Sequence, residues 1–126
     1  MKKETNMAKN TVCHIEWSSS DLERSKTFYS GLFDWKIEPW GEEGYLSIAP
    51  PEGPTGGIMK ADDIHPGASP VVYIEVDEIE SYLEIAKELG GGVVVPKSEI
   101  PTLGWFAHLT DPDGNLVGLF QPAKKE

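Results

Sequence analysis

His14 and Glu16 stand two residues apart in the alternating run Thr11-Val12-Cys13-His14-Ile15-Glu16-Trp17. Extended backbone turns side chains i and i+2 to the same side, so an imidazole and a carboxylate share one face while Cys13, Ile15 and Trp17 share the other. A histidine titrates near neutrality and can bind a ligand or move a proton; it can equally be a strand histidine satisfied by a neighbouring hydroxyl or carbonyl. The run Val71-Val72-Tyr73-Ile74-Glu75 offers a similar face carrying Tyr73 and Glu75. If both faces line one cavity, Glu16 and Glu75 with His14 and Tyr73 form a cluster able to hold a cation, a basic ligand or a non-standard metal. Mutual repulsion would then raise one carboxylate toward the range of a general base. The plainer alternative is that each carboxylate lies near a strand end and meets water or a lysine. No Ser-His-Asp order, phosphate-binding glycine loop or paired-cysteine metal motif is present. His65, beside Pro66, reads as solvated, and the facing of His108 stays open because both alternating sets around it are mixed.

These residues need elements to hold them, and the clearest is the hairpin from Trp105 to Gln121. Two apolar and aromatic runs flank Asp111-Pro112-Asp113-Gly114, where proline presets φ, the aspartates can bond back to the backbone and Gly114 can take positive φ. A fainter copy lies upstream as Tyr45-Leu46-Ser47-Ile48-Ala49, Pro50-Pro51-Glu52-Gly53 and Gly56-Gly57-Ile58-Met59. The whole order repeats. His14 falls on Tyr73, and Glu16 on Glu75, at an offset of 59; the helical stripe Leu22, Ser25, Phe28, Tyr29, Leu32 falls on Ile79, Tyr82, Ile85, Ala86, Leu89 at 57; Tyr45 falls on Trp105 at 60 and Gly57 on Gly118 at 61. Capping boxes are expected at Ser20 to Glu23 and Asp77 to Glu80. Gly90-Gly91-Gly92 ends the second helix, Asp34 to Trp40 reads as a strand weakened by Pro39, and Pro96 is expected to end the strand begun by Val93-Val94-Val95. The expected architecture is α+β: a tail over 1–10, one domain over 11–122 with module 1 at about 11–60, a seam loop at 61–70 and module 2 at about 71–122, and a tail over 123–126.

Composition excludes several classes. At 126 residues, 39% hydrophobic and 25% charged, the chain is an ordinary globule. No apolar run approaches the roughly 20 residues of a spanning helix, and the polar start gives no sign of a secretory signal, so no membrane role is expected. Eleven basic against 21 acidic side chains give a net charge of −10, which repels nucleic acid. Cys13, the one cysteine, cannot form an internal disulfide, consistent with a cytoplasmic location. Its alternation with Ile15 makes it a packed, inert thiol.

The repeated βαβββ order, the phrase Ser25, Phe28-Tyr29, Gly31-Leu32-Phe33-Asp34-Trp35 and the hairpin Asp111-Pro112-Asp113-Gly114-Asn115 together resemble the vicinal oxygen chelate superfamily, which includes glyoxalase I, bleomycin-resistance proteins and extradiol dioxygenases. The resemblance covers about Thr11 to Pro122. It implies paired modules whose sheets curl into a cupped half-barrel with helices outside, a ligand in the cup, and a homodimer. In metal-using members the first and last strand of each module supply the ligands; carried over, those positions are His14, Gly57, Tyr73 and Gly118. A catalytic metal needs about three protein donors, which one imidazole and two glycines do not supply. The expectation is therefore no cofactor, with a divalent metal disfavoured and His14 the one matching ligand position. Gly57 and Gly118 either leave the floor of the cup open to a flat ligand or are packing glycines. With Tyr73 in the cup and aromatic walls drawn from Trp17, Trp35, Trp40, Tyr45, Trp105, Phe106 and Phe120, some of which must be core, a small organic molecule is the expected partner. The main reading is a metal-poor, sequestering or resistance-type binder. The alternatives are a metalloenzyme of lyase, isomerase or dioxygenase type with rearranged ligands, and a metal-independent enzyme in which His14, Glu16 or Glu75 moves protons.

Overall fold

The computed structural model describes residues 9–33, 35–41 and 43–124. The element order is β1 (Val12–Ser19), α1 (Leu22–Leu32), β2 (Lys36–Pro39), β3 (Tyr45–Ala49), β4 (Thr55–Lys60), β5 (Val71–Glu75), α2 (Ile79–Glu88), β6 (Gly92–Ile100), β7 (Gly104–Thr110) and β8 (Leu116–Pro122). Each half is thus a βαβββ module, and the fold is α+β. The chain divides into two compact units, one spanning Cys13–Val72 and the other spanning 73–124 together with 9–12.

Unit Cys13–Val72 carries the strand order β2-β3-β4-β1. β1 runs parallel to β4, with Glu16 opposite Gly57 and Trp17 opposite Ile58, while β3 runs antiparallel to β4, with Leu46 opposite Ile58 and Ser47 opposite Gly57. Ile37, Leu46, Ile48 and Ile58 form the buried cluster, against which Trp17, Leu22, Tyr29 and Trp35 pack. The helix therefore covers the Leu46, Ile58 and Trp17 face, and alternation turns His14, Glu16, Tyr45, Ser47 and Gly57 to the far face. Tyr29 and Trp35 stack at 5.8 Å between centroids with Trp17 tilted against both, so two of the four tryptophans serve the core of this unit. The expected stripe on α1 is only half used: Leu22 and Tyr29 reach the cluster, whereas Phe28 and Leu32 are 58% and 61% exposed. Its cap also differs, since Asp21 is the N-cap and accepts from the Arg24 amide at 3.1 Å. Part of the expected strand Asp34 to Trp40 lies outside the described residues.

The second unit has the order β5-β8-β7-β6. Val76, Ile79, Leu83, Ala107 and Leu119 are buried together, with Ile74, Tyr82, Trp105 and Leu109 packed around them under α2. Burying a side chain such as Ile79 contributes about 1.5–3 kcal/mol. The expected capping box at Asp77 is absent. Glu78 occupies the N-cap without a side-chain bond, and the Ile79 amide donates instead to Oε1 of buried Gln121 from β8, at 2.8 Å. Pro96 does not end β6, which runs on to Ile100 through two register shifts. β6 lies at the sheet edge, where a missing N–H leaves no ladder bond unmade. Residues 9–11 are bound rather than loose: the Asn10 amide donates to the Glu75 carbonyl at 2.6 Å, the Glu75 amide to the Thr11 carbonyl at 2.8 Å and Tyr82 Oη to Asn10 Oδ1 at 2.8 Å. Residues 1–8 of the expected tail lie outside the described residues. No helix among the described residues is long and apolar enough to cross a membrane.

Candidate functional site

On the far face of the first module, β1 and β3 bring His14, Glu16 and Tyr45 together. His14 Nε2 lies 2.9 Å from Tyr45 Oη, and that hydroxyl donates to Glu16 Oε1 at 3.0 Å. His14 Nδ1 lies 2.8 Å from Thr55 Oγ1, which also contacts the Cys13 carbonyl at 3.3 Å. The imidazole and the carboxylate are 3.8 Å apart, with 27% and 20% of their side chains exposed. Trp40 meets the Tyr45 ring edge-on at 5.9 Å. The sequence reading of His14 as a histidine satisfied by hydroxyls is thus what the contacts describe, although its neighbours also make it part of a polar centre.

Both glycines lie beneath tyrosines. A Cβ built on Gly57 would stand 1.7 Å from Tyr45 Oη, and one on Gly118 would stand 2.5 Å from the Tyr73 ring. Of the two readings of these glycines, the open floor is corrected and the packing role stands: the space above each is filled by an aromatic side chain of its own module, which explains why no side chain can stand there. In the second module Tyr73 Oη lies 2.8 Å from His108 Nε2, and Phe106 meets the His108 ring edge-on at 5.4 Å. This fixes His108 on the far face with Tyr73, Phe106, Gly118 and Phe120.

Register corrects two further expectations. Glu16, Gly57 and Ser47 form one row across the strands of the first module, and Tyr73, Gly118 and His108 form the matching row across those of the second. The two helix starts, Leu22 and Ile79, and their N-caps, Asp21 and Glu78, share the offset of 57 that separates Glu16 from Tyr73. The offset of 59 is therefore a slip of two residues. Glu16 corresponds to Tyr73 and Glu75 to Ser18, so Glu16 and Glu75 are not an equivalent pair. Likewise the hairpins match at 61, which places Tyr45 on Phe106. The offset of 60 put Tyr45 on Trp105, and a one-residue slip reverses the face. Trp105 packs against the core under α2, with Lys97 Nζ 4.8 Å from its ring centroid, and leaves the list of far-face walls.

Thr55 is the site residue that sequence reasoning missed; Tyr45 and Trp40 belong to the aromatics that it divides between core and wall without saying which. The available signal was parity: Tyr45 alternates with the apolar Leu46 and Ile48, which marks it as facing away from the helix. His65 pairs with Asp63 at 3.2 Å and is 74% exposed, as expected. An open depression of about 540 Å³ lies apart from the far face, lined by Ser20, Asp21, Leu22, Glu23, Glu43, Gly44 and Lys60.

Among the described residues no three His, Cys, Asp or Glu side chains converge as a metal would require. Around His14 the third donor is a phenol held in a hydrogen bond, and the last-strand corner at Gly57 has no side chain. The residues present do not fit the family's usual catalytic metal.

The sequence model described as Glyoxalase/Bleomycin resistance protein/Dioxygenase superfamily matches residues 11–119. Proteins named "Putative glyoxylase CFP32" from Mycobacterium bovis and Mycobacterium tuberculosis are each 28% identical over 130 residues, covering 96% of this chain and 49% of theirs. The chain spans about half the length of these curated relatives. Among solved structures, the hypothetical protein BH1468 from Bacillus halodurans aligns with a TM-score of 0.68 at 16% identity, covering 92% of this chain and 96% of that one. Methylmalonyl-CoA epimerase from Mycobacterium tuberculosis aligns with a TM-score of 0.66 at 15% identity, covering 90% and 88%. These likenesses show the fold. The match over 109 of 126 residues, with the repeated module, establishes that the chain belongs to the Glyoxalase/Bleomycin resistance protein/Dioxygenase superfamily.

Proposed function

We propose that this chain is a metal-independent binder of a small organic molecule, held on the far faces of its sheets and sequestered rather than turned over. One observation carries the reading: the His14 imidazole is committed through both ring nitrogens to the Tyr45 and Thr55 hydroxyls. A ring so engaged is arranged as part of a hydrogen-bonding wall. Tyr45 in the first unit and, separately, Tyr73, Phe106 and Phe120 in the second supply apolar area of the kind that small-molecule sites use. The family supports small-molecule binding in general terms, and the homodimer implied by the resemblance belongs to the same proposal.

The test is elemental analysis of protein purified without chelator or metal-binding tag, followed by screening of small aromatic compounds by NMR with and without EDTA. The expected result is far less than one transition ion per chain and saturable binding indifferent to EDTA. One ion per chain, with binding lost on chelation, would overturn the proposal in favour of a metalloenzyme.

A second reading, proton transfer without a metal, is favoured by the unbroken chain of hydrogen bonds from Thr55 through His14 and Tyr45 to Glu16. It requires turnover with a pH–rate profile that collapses in His14→Ala. Binding without turnover excludes it.

A further inference from the structure

The hydrogen bonds on the far face of the first module have a direction, and that direction specifies what a ligand must bring. A carboxylate accepts only, so the single Tyr45 hydroxyl proton is committed to Glu16 Oε1. His14 Nε2 must then donate to the phenol oxygen, 2.9 Å away. Nδ1 meets the Thr55 hydroxyl, whose proton goes either to Nδ1 or to the Cys13 carbonyl. In both arrangements the donors run one way, from His14 through Tyr45 to Glu16. The chain terminates at Glu16 Oε2, which has no hydrogen-bond partner among the described residues although only 20% of the side chain is exposed. A carboxylate side chain so largely covered gains from a donor at its second oxygen.

Building on the binding role proposed above, we propose that Glu16 is the specificity-determining residue of the first module and selects a flat organic molecule bearing an N–H donor, such as an amidine or amide on an aromatic ring. Glu16 Oε2 accepts the N–H, and Tyr45, with Trp40 edge-on at 5.9 Å, supplies the neighbouring aromatic surface. Tyr45 and His14 act through Glu16: they hold Oε1, fix the rotamer and leave Oε2 to accept from a ligand. A carboxylate ligand brings no proton for Oε2 and meets like charge.

Benzamidine, benzamide and benzoate test this, titrated into the intact chain in EDTA and followed by NMR chemical shifts and tryptophan fluorescence. Benzamidine and benzamide are expected to saturate and benzoate to bind at least tenfold more weakly. In Glu16→Gln the side-chain amide can still accept from Tyr45 while turning its own NH2 outward, so benzamidine is expected to lose at least tenfold in affinity and the gap to benzoate to close. Benzoate binding as tightly as benzamidine, or Glu16→Gln binding benzamidine unchanged, overturns the donor rule yet leaves the small-molecule reading standing. Failure of all three probes also overturns it; joined to a stoichiometric metal, that failure removes the broader reading too. The comparison of probes on the unaltered chain needs no variant, so the inference stays exposed even where Glu16→Gln does not fold.

Discussion

A hydroxyl 1.7 Å from where a Cβ would stand makes Tyr45 and Gly57 one coupled position. Gly57→Ala forces the phenol away, and with it the bonds to His14 and Glu16. Overpacking of this kind costs about 1–3 kcal/mol. Tyr45→Ala clears the clash, so Gly57→Ala is expected to be nearly neutral in the Tyr45→Ala background. A double-mutant cycle by urea denaturation reads the difference; additive effects would show that the ring does not sit on residue 57. The neighbouring Gly56 gives the control: its Cβ would meet the Ile15 carbonyl and the Ile48 side chain at 3.2–3.3 Å and would not meet Tyr45, so Gly56→Ala is expected to ignore the Tyr45 background.

Elements here are held by residues far from them in sequence, and that decides how much could be read in advance. The hairpin β7 to β8 was legible because its turn chemistry is local. Asp111 accepts from the Asp113 and Asn115 amides and from Asn115 Nδ2, and Gly114 takes φ +88°. The Asn115 side-chain bond is the main reason the Asp111 carboxyl titrates below its ordinary range, with the backbone amide of Asn115 adding to it. A carboxyl lowered on folding stabilises the fold fully above its unfolded pKa, and that contribution is lost as pH falls through the folded value. Asp111→Ala is therefore expected to lower Tm at neutral pH, with the gap to the unsubstituted chain closing below the ordinary carboxylate range; a gap constant down to strongly acidic pH would contradict it. The cap of α2 was illegible for the opposite reason, since Gln121 lies 42 residues beyond the Ile79 amide it receives. Gln121→Met keeps the volume but strands that buried N–H, at a cost of about 1–3 kcal/mol. Urea unfolding measures this, and a loss well under that range would mean the amide finds another acceptor. Faces proved harder than elements: the period of two makes the side of a strand turn over with each residue of misalignment, so Trp105 was placed wrongly while the strand carrying it was placed correctly. His14 and Tyr45, 31 residues apart, meet only because β1 and β3 flank the same strand.

Across the whole chain one module is written twice with its chemistry redistributed. The row Glu16, Gly57, Ser47 became Tyr73, Gly118, His108: the glycine was kept, and each lies under a tyrosine hydrogen-bonded to a histidine, but the first module draws its tyrosine from β3 and the second from β5. Only the first row carries a carboxylate. That carboxylate sits in a chain of net charge −10, whose summed field favours cations at any distance the solvent does not screen. Benzamidine and benzamide separate this field from the local hydrogen bond, since they share a planar N–H donor group and differ in charge. Screening shortens from about 30 Å at 0.01 M salt to about 3 Å at 1 M. Benzamidine is therefore expected to bind progressively more weakly across that range, while benzamide holds constant. Equal salt responses of the two would mean that the global charge contributes nothing to recognition and that Glu16 acts through contact alone.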